Sequence, residues 1–147
     1  MSDEPGRVLA VDLGEARIGL AVSDPLGLTA QPLETLHRSG ARADLDCIAA
    51  LAREREVRVV VMGLPLRLSG EEGPAAEAAR RFGRRLAGRL DGVDLRFWDE
   101  RLTTVLAERT MISGRVRRAR RRERVDTVAA ALILQSYLDA RGEADSP

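Results

Sequence analysis

Short apolar runs separated by tight turns predict a strand-rich first third of the chain. Arg7 to Leu13 reads RVLAVDL, which is typical of a buried strand, and Ile18 to Val22 predicts the returning strand of a hairpin after the turn at Gly14–Arg17. Ser23 to Pro32 holds two prolines and a glycine and predicts a loop. Glu34 to His37 predicts a third, short strand, so that tight connections make the first three strands an antiparallel meander.

From Ala41 onward the apolar positions recur at the spacing of a helix. Asp44, Arg53 and Glu54 are predicted on the outer side of this helix. Its predicted buried side consists of Leu45, Ile48, Ala49 and Ala52. The run that follows, Val57 to Met62 (VRVVVM), is nearly all β-branched and is typical of a strand covered on both faces.

The second half of the chain alternates predicted helices with one more strand. Pro74 suits the first turn of a helix, and Val93 to Phe97 predicts a fifth strand. A short helix from Thr104 to about Ile112 and a last helix from about Glu123 to Arg141 follow. The apolar stripe predicted for the helix that begins at Pro74 is Ala75, Ala79, Phe82, Leu86 and Leu90.

This order, β-β-β-α-β-α-β-α-α, predicts an α/β domain. The later strands alternate with helices and are expected to run parallel through right-handed crossovers. The result is a mixed five-stranded sheet, three antiparallel strands and then two parallel, with helices on both faces, which is the arrangement of an RNase H-like domain. Residues 1–141 are predicted to form this single domain, and residues 142–147 a frayed carboxyl-terminal tail.

Composition narrows the class of protein without naming its function. A chain of 147 residues with 44% hydrophobic residues suits one compact domain. A single cysteine, Cys47, a short polar amino terminus and no apolar run of membrane-spanning length predict a cytoplasmic protein without a membrane partner. All 24 basic residues are arginine, and without a lysine a Walker-type phosphate loop is excluded.

Three acidic positions carry the candidate chemistry. Asp12 ends the first apolar run, Asp99-Glu100 follows the fifth strand, and Asp126 lies near the start of the last helix. Each has a simpler interpretation: Asp12 as a cap of the glycine turn, the Asp99-Glu100-Arg101 stretch as a solvated junction, and Asp126 as an acid in the first helical turn. Together they match the need of phosphodiester cleavage for several carboxylates around divalent cations.

Other metal and nucleophile chemistry is poorly supported by the residue types present. Mg²⁺ and Mn²⁺ bind oxygen ligands of this kind, whereas a lone His37 and a lone Cys47 make no zinc site. The same scarcity of nitrogen and sulfur ligands disfavours Ser-His and Cys-His catalysis. His37 is expected to be a structural or surface residue.

Four stretches of the chain carry a resemblance to a known family: VLAVDLGEARIGLAVSDPLGLTAQP from Val8, GLPLRLSGEEGPAAEAA from Gly63, WDERLTTVLAER from Trp98 and VDTVAAALILQSYL from Val125. By these stretches the chain resembles the YqgF (RuvX) family, whose members are described as Holliday junction resolvases and as pre-16S rRNA nucleases. The resemblance implies a metal-dependent nuclease with Asp12, Glu100 and Asp126 as catalytic and metal-binding carboxylates and Mg²⁺ or Mn²⁺ as cofactor. One departure from better-studied resolvases is that their second carboxylate follows the fourth strand, where this chain has Gly63-Leu64-Pro65.

The resemblance leaves three functions open. The first is processing of the 5′ end of precursor 16S rRNA, with pre-ribosomal particles as partners. The second is cleavage of four-way DNA junctions at the same site, for which a homodimer would be the natural form. The third is an RNA-binding ribosome-assembly factor without catalysis.

Arginines crowd the stretch just before Asp126 and are predicted to contact nucleic-acid phosphates. The alternatives are a solvated connector or the frayed start of a helix. Arg17 and Arg101, each close to a proposed ligand, are further candidates for phosphate contact, although structural ion pairing explains them equally well. The crowded arginines are Arg115, Arg117, Arg118, Arg120, Arg121, Arg122 and Arg124.

Overall fold

A computed structural model describes residues 6–103 and 118–144, with side chains for residues 6–103 and 128–142. Within these ranges six strands form one mixed sheet in the order β3-β2-β1-β5-β6, and β4 also pairs with β2. Strands β2, β3 and β4 are antiparallel to their neighbours, while β1, β5 and β6 run parallel. The strands are β1 Arg7–Leu13, β2 Arg17–Ser23, β3 Ala30–Pro32, β4 Leu36–His37, β5 Val57–Leu64 and β6 Asp94–Asp99.

Helices cover both faces of this sheet. Helices α1 (Ala41–Glu54) and α2 (Pro74–Ala87) pack on one face, and α3 (Arg118–Ala144) packs on the other. A single 3-10 turn, Glu100–Leu102, follows β6. The α/β class, the mixed sheet and the two-sided helical cover are therefore confirmed. In the described part of the chain no helix is long and apolar enough to cross a membrane.

The edge of the sheet differs from the prediction. The third strand, predicted at Glu34 to His37, is reduced to β4, and the predicted loop from Ser23 to Pro32 contains β3. Both short pieces pair with β2, so the sheet has six strands where five were expected. A proline at the end of β3 is compatible with an edge strand because no ladder hydrogen bond needs its missing N–H.

One position of α1 was also predicted on the wrong side of the helix. Asp44 was expected outside, yet it is 1% exposed, and its carboxylate accepts hydrogen bonds from the backbone N–H of Ser39 (3.1 Å) and its hydroxyl (3.3 Å). Arg38 lies 3.5 Å from the other oxygen. An acid in the first turn of a helix can be buried when it has hydrogen-bond partners. The spacing of apolar residues along the sequence does not reveal those partners.

In α2 the buried side is turned slightly from the predicted stripe. Ala75 is exposed and Ala76 is buried in its place, while Leu90 lies beyond the end of the helix. Gly83 is buried because Phe97 occupies the space beside it: a Cβ added at Gly83 would meet the ring at 2.7 Å. The glycine therefore lets α2 approach the sheet closely.

Helix α3 begins at Arg118, earlier than the predicted start near Glu123, and ends at Ala144 instead of Arg141. The second half of the arginine-rich stretch is thus helical backbone instead of a connector. Asp126 lies in the third turn of α3, not in its first. The predicted helix from Thr104 to Ile112 falls outside the described residues.

Candidate active site

Strand alternation places three positions in a row at the carboxyl ends of the parallel strands. On β1, Val8 and Ala10 face α3, and the next residue of that face is Asp12. On β5, Val59 and Val61 face α3, and the next is Gly63. Because β1 and β5 pair in parallel up to Val11 and Met62, Asp12 and Gly63 end adjacent strands on the same side.

The third position of the row belongs to Glu100. Trp98, paired with Gly63, faces α3 from β6, and Glu100 follows it by two residues. A Cβ added at Gly63 would lie 2.8 Å from Oε1 of Glu100 and 2.7 Å from Cδ1 of Ile133 in α3. The carboxylate of Glu100 therefore lies over Gly63, directed towards the strand that carries Asp12.

Both carboxylates are withdrawn from solvent. Asp12 is 5% exposed and Glu100 is 6% exposed, at the end of a sheet face that is otherwise apolar. Asp12 and Glu100 therefore place two buried acids at the same edge of the sheet, with Glu100 over the strand next to the one that carries Asp12. Oxygen donors grouped at one place are what a divalent cation needs.

Hydrogen bonds to α3 fix the segment that carries Glu100. The indole N–H of Trp98 donates to Oγ of Ser136 at 3.0 Å, and the Ser136 hydroxyl donates to the carbonyl of Leu102 at 3.2 Å. The carbonyl of Glu100 accepts from the hydroxyl (2.7 Å) and the N–H (3.1 Å) of Thr103. Glu100 therefore lies in a short segment that is hydrogen-bonded to Ser136 of α3 on both sides, through Trp98 before it and Leu102 after it.

Asp99 and Arg101, which flank Glu100, are engaged with each other. Asp99 accepts from the backbone N–H of Arg101 at 2.9 Å and from its guanidinium at 2.8–3.1 Å. These bonds from Arg101 hold the pKa of the Asp99 carboxyl below its usual value. The pairing favours Glu100 over Asp99 as a ligand, and it gives Arg101 a structural ion pair.

The turn that follows Asp12 is tight. Gly14 donates its N–H to the carbonyl of Arg17 at 2.9 Å, and a Cβ at Gly14 would lie only 2.5 Å from that oxygen. Arg38 donates from Nη1 to the carbonyl of Gly14 at 3.0 Å. Arg17 opens β2, in register with the exposed His37. This turn therefore requires glycine beside the buried acid, and it brings Arg17 near the same end of the sheet.

The remaining predicted residues are placed only in part. Asp126, Arg118, Arg120, Arg121 and Arg122 belong to the backbone of α3, but their side chains lie outside the described ones. Arg115 and Arg117 lie outside the described residues altogether. Among the described side chains no group of three His, Cys, Asp or Glu residues could hold a metal ion. Cys47 is exposed.

Sequence reasoning used Gly63 only as a departure from other resolvases and missed its spatial role. A glycine at the end of a β-branched strand was the available signal, because such a position often permits a close approach. The partners of Asp44 were missed as well. A Ser-Gly pair ahead of a helix with an acid in its first turn was the signal there.

This chain is similar to known proteins in sequence and in fold. The RuvX family, described as Holliday junction resolvase, matches residues 6–140. A protein of Myxococcus xanthus named "Putative pre-16S rRNA nuclease" is 53% identical over 95% of this chain and 92% of its own length. A protein of the same name from Heliobacterium modesticaldum is 45% identical over 92% of this chain and 90% of its own.

A solved structure agrees on the fold. RuvC of T. thermophilus, in complex with a Holliday junction substrate, aligns with a TM-score of 0.55 at 18% identity over 93% of this chain and 96% of that one. This likeness supports the RNase H-like arrangement of strands and helices. On the family match and the identity to these relatives, the chain belongs to the RuvX family.

Proposed function

We propose that this protein is a metal-dependent nuclease that hydrolyses phosphodiester bonds in structured nucleic acid, and that its substrate is the 5′ end of precursor 16S rRNA. The observation that carries the proposal is the pair of buried carboxylates at one edge of the sheet: Asp12 on β1, and Glu100, which lies over Gly63 of the adjacent strand β5. The names of the relatives support the choice of substrate.

The donor set fits Mg²⁺ or Mn²⁺. Both described acids offer oxygen ligands, and the missing side chain at Gly63 leaves the room that Glu100 occupies. The third acid, Asp126, lies seven residues, or two helical turns, before Ile133, which contacts the same place. We assign Asp12, Glu100 and Asp126 to one site on this spacing. Such ions, when bound, make water a better nucleophile and offset charge on the attacking and leaving oxygens.

The protein's own residues would hold and orient the substrate. Arg17 lies beside the turn that follows Asp12, within the same end of the sheet. The crowded arginines before Asp126 would contact phosphates from the first turns of α3. Phosphate contacts fix the register of a nucleic acid without reading its sequence. The residues assigned to this contact are Arg17, Arg101, Arg115, Arg117, Arg118, Arg120, Arg121 and Arg122.

A second candidate is cleavage of four-way DNA junctions, favoured by the description of the RuvX family. The end of β5 argues for the RNA substrate, because this chain has Gly63-Leu64-Pro65 where better-studied resolvases carry their second carboxylate. A non-catalytic assembly factor would not require two buried acids at one strand end.

Cleavage of matched substrates tests the proposal. With Mg²⁺ or Mn²⁺ at one salt concentration, we expect a larger kcat/KM for a precursor 16S rRNA fragment than for a four-way DNA junction. Asp12→Asn, Glu100→Gln and Asp126→Asn should each remove most cleavage while the far-ultraviolet circular dichroism is retained. A preference for the junction would favour the second candidate. Cleavage at the wild-type rate by two of the three variants would refute the assigned site.

A further inference from the structure

The solvent side of α2 carries arginines that have no acidic partner among the described residues. Arg81, Arg84 and Arg85 are all exposed, and none forms an ion pair with a described acid. Neighbouring arginines behave differently: Arg80 pairs with Glu72, and Arg89 pairs with Asp46 at 2.9 Å. The three arginines are therefore a local excess of positive charge on a chain whose formal net charge is only +1.

Helical spacing makes these three residues neighbours. Positions 81 and 84 or 81 and 85 are three and four residues apart, so their side chains leave the helix on the same side. Arg81 and Arg84 also line an open depression of about 660 Å³ together with Glu72, Glu77 and Arg80. The depression is open to solvent, so an extended ligand can lie across the helix.

The chemistry of this surface points to phosphate. Guanidinium groups bind phosphate oxygens through two parallel hydrogen bonds. In the described part of the chain no aromatic ring beside them is available for stacking on bases, because Phe82 is buried and Arg80 covers Phe97 at 5.0 Å. Binding of single strands combines positive charge with aromatic stacking. A surface with charge alone fits the backbone of a duplex.

The start of α2 borders the end of the sheet that holds Glu100, and Arg81, Arg84 and Arg85 lie in the second half of the same helix. The segment from residue 65 to residue 73 joins that end to α2, and Arg101 donates to the carbonyl of Leu68 in it at 3.4 Å. Arg67 extends over Gly73, the residue before α2, since a Cβ there would meet its Nε at 2.8 Å. Arg101 and Arg67 thus lie between the candidate active site and the start of α2.

We infer that Arg81, Arg84 and Arg85 form a second phosphate-binding surface, the α2 face, which holds a duplex next to the cleaved segment. It lies on the face of the sheet opposite the part of α3 that packs there, Ala129 to Leu138. The inference rests on the proposed function for the identity of the ligand, but binding to the α2 face does not require cleavage.

A salt titration of duplex binding tests the α2 face. The full-length protein is titrated against a fluorescein-labelled 24-base-pair DNA duplex in EDTA, with fluorescence anisotropy as the readout. The test variant is R81Q/R84Q/R85Q. The control variant, R42Q/R53Q/R58Q, removes the same charge from exposed arginines elsewhere on the described surface.

Removing one phosphate contact lowers the slope of log K against log salt by about 0.9 on duplex DNA. We expect the test variant to lower the slope by about 2 to 3 and to weaken binding at least about tenfold at 50 mM salt. The control variant should keep the wild-type slope. Equal slopes for test and control variants, or no binding of the duplex by the wild type, would overturn the inference.

Two further measurements separate this inference from the proposed function. Polyglutamate that competes with the duplex and binds the wild type but not the test variant would assign the α2 face to an acidic protein instead, which also overturns the inference. At saturating substrate the test variant should cleave at the wild-type rate. If the wild type cleaves nothing while the slopes still differ as expected, the proposed function fails and the α2 face stands.

Discussion

The two faces of the sheet are built in different ways. Under α1 and α2 the face is filled by large apolar side chains. Under α3 it is filled mostly by valine and alanine, and polar contacts join it to the helix: Arg96 donates to the Tyr137 hydroxyl at 2.6 Å, and Trp98 donates to Ser136. Fully buried large residues of the first face include Leu9, Ile18, Leu45, Ile48, Met62 and Leu86.

The two faces of the sheet contribute to different properties: the α1–α2 face mainly to stability, and the α3 face to the candidate site. Burial of large apolar side chains is the dominant favourable contribution to folding, and the α1–α2 face supplies most of it. The α3 face holds fewer large groups, yet its strand ends carry Asp12 and Glu100. Specific hydrogen bonds hold such a site more precisely than apolar packing does, since they fix direction as well as distance. Substitutions on the two faces should therefore change different properties.

The largest loss of stability is expected from Leu45→Ala, in the centre of the α1–α2 face. The side chain is fully buried, and its truncation leaves a cavity that costs about 2–5 kcal/mol of the free energy of unfolding. Urea denaturation measures the loss, and the fraction that stays folded should cleave normally. Leu26→Ala, at a residue that is 55% exposed, is the control. A loss below about 0.5 kcal/mol for Leu45→Ala would contradict the description of this face.

Gly63→Ala should damage the α3 face more specifically. The new methyl group would lie 2.8 Å from the Glu100 carboxylate and 2.7 Å from Ile133, so one of them must move. We expect a cost of about 1–3 kcal/mol in stability together with a large fall in cleavage. Gly142→Ala, where a Cβ meets nothing within 4 Å, is the control: it should leave cleavage unchanged and should not lower stability, since alanine favours a helix. Full activity of Gly63→Ala would show that the candidate site does not need the space beside Gly63.

Ser136→Ala removes the hydroxyl that joins β6 and the turn after it to α3. The indole N–H of Trp98 and the carbonyl of Leu102 both lose their partner. An unpaired, partly buried donor costs about 1–3 kcal/mol, and Glu100, held between these residues, should bind metal less tightly. Calorimetric titration with Mn²⁺ and thermal unfolding measure the two effects. Ser69→Ala, in an exposed loop, should change neither.

The smallest effect is expected from Asp99→Asn. Because Arg101 lowers the pKa of Asp99 in the folded protein, the ionised acid stabilises the fold above its unfolded pKa, and this stabilisation is lost as the pH falls through the lower, folded pKa. The wild type should therefore lose its small advantage over Asp99→Asn only below about pH 4. Stability curves from pH 2 to 7 measure this, and an advantage that grows on acidification would contradict the ion pair.

The α1–α2 face was largely predictable from the sequence, and the site was predictable only in part. Strong local patterns, such as the apolar run of β5 and the helical spacing of α1, predicted where these two elements begin, because burial in the core imposes such patterns. Asp12 and Glu100 were identified by residue type and by resemblance. Their placement at one edge of the sheet, on either side of Gly63, depends on which strands are adjacent. The short edge strand β3 and the buried Asp44 depend on partners distant from any local pattern, so sequence spacing did not reveal them.

The central claim is that Asp12 and Glu100 act as one metal site at the carboxyl end of the sheet. Calorimetric titration of Mn²⁺ into the wild type, Asp12→Asn, Glu100→Gln and the double variant tests it directly. We predict that each single variant weakens binding at least about tenfold and that the double variant is weakened by less than the product of the two, because residues of one site are energetically coupled. Unchanged affinity in both single variants, or independent effects that multiply, would contradict the claim.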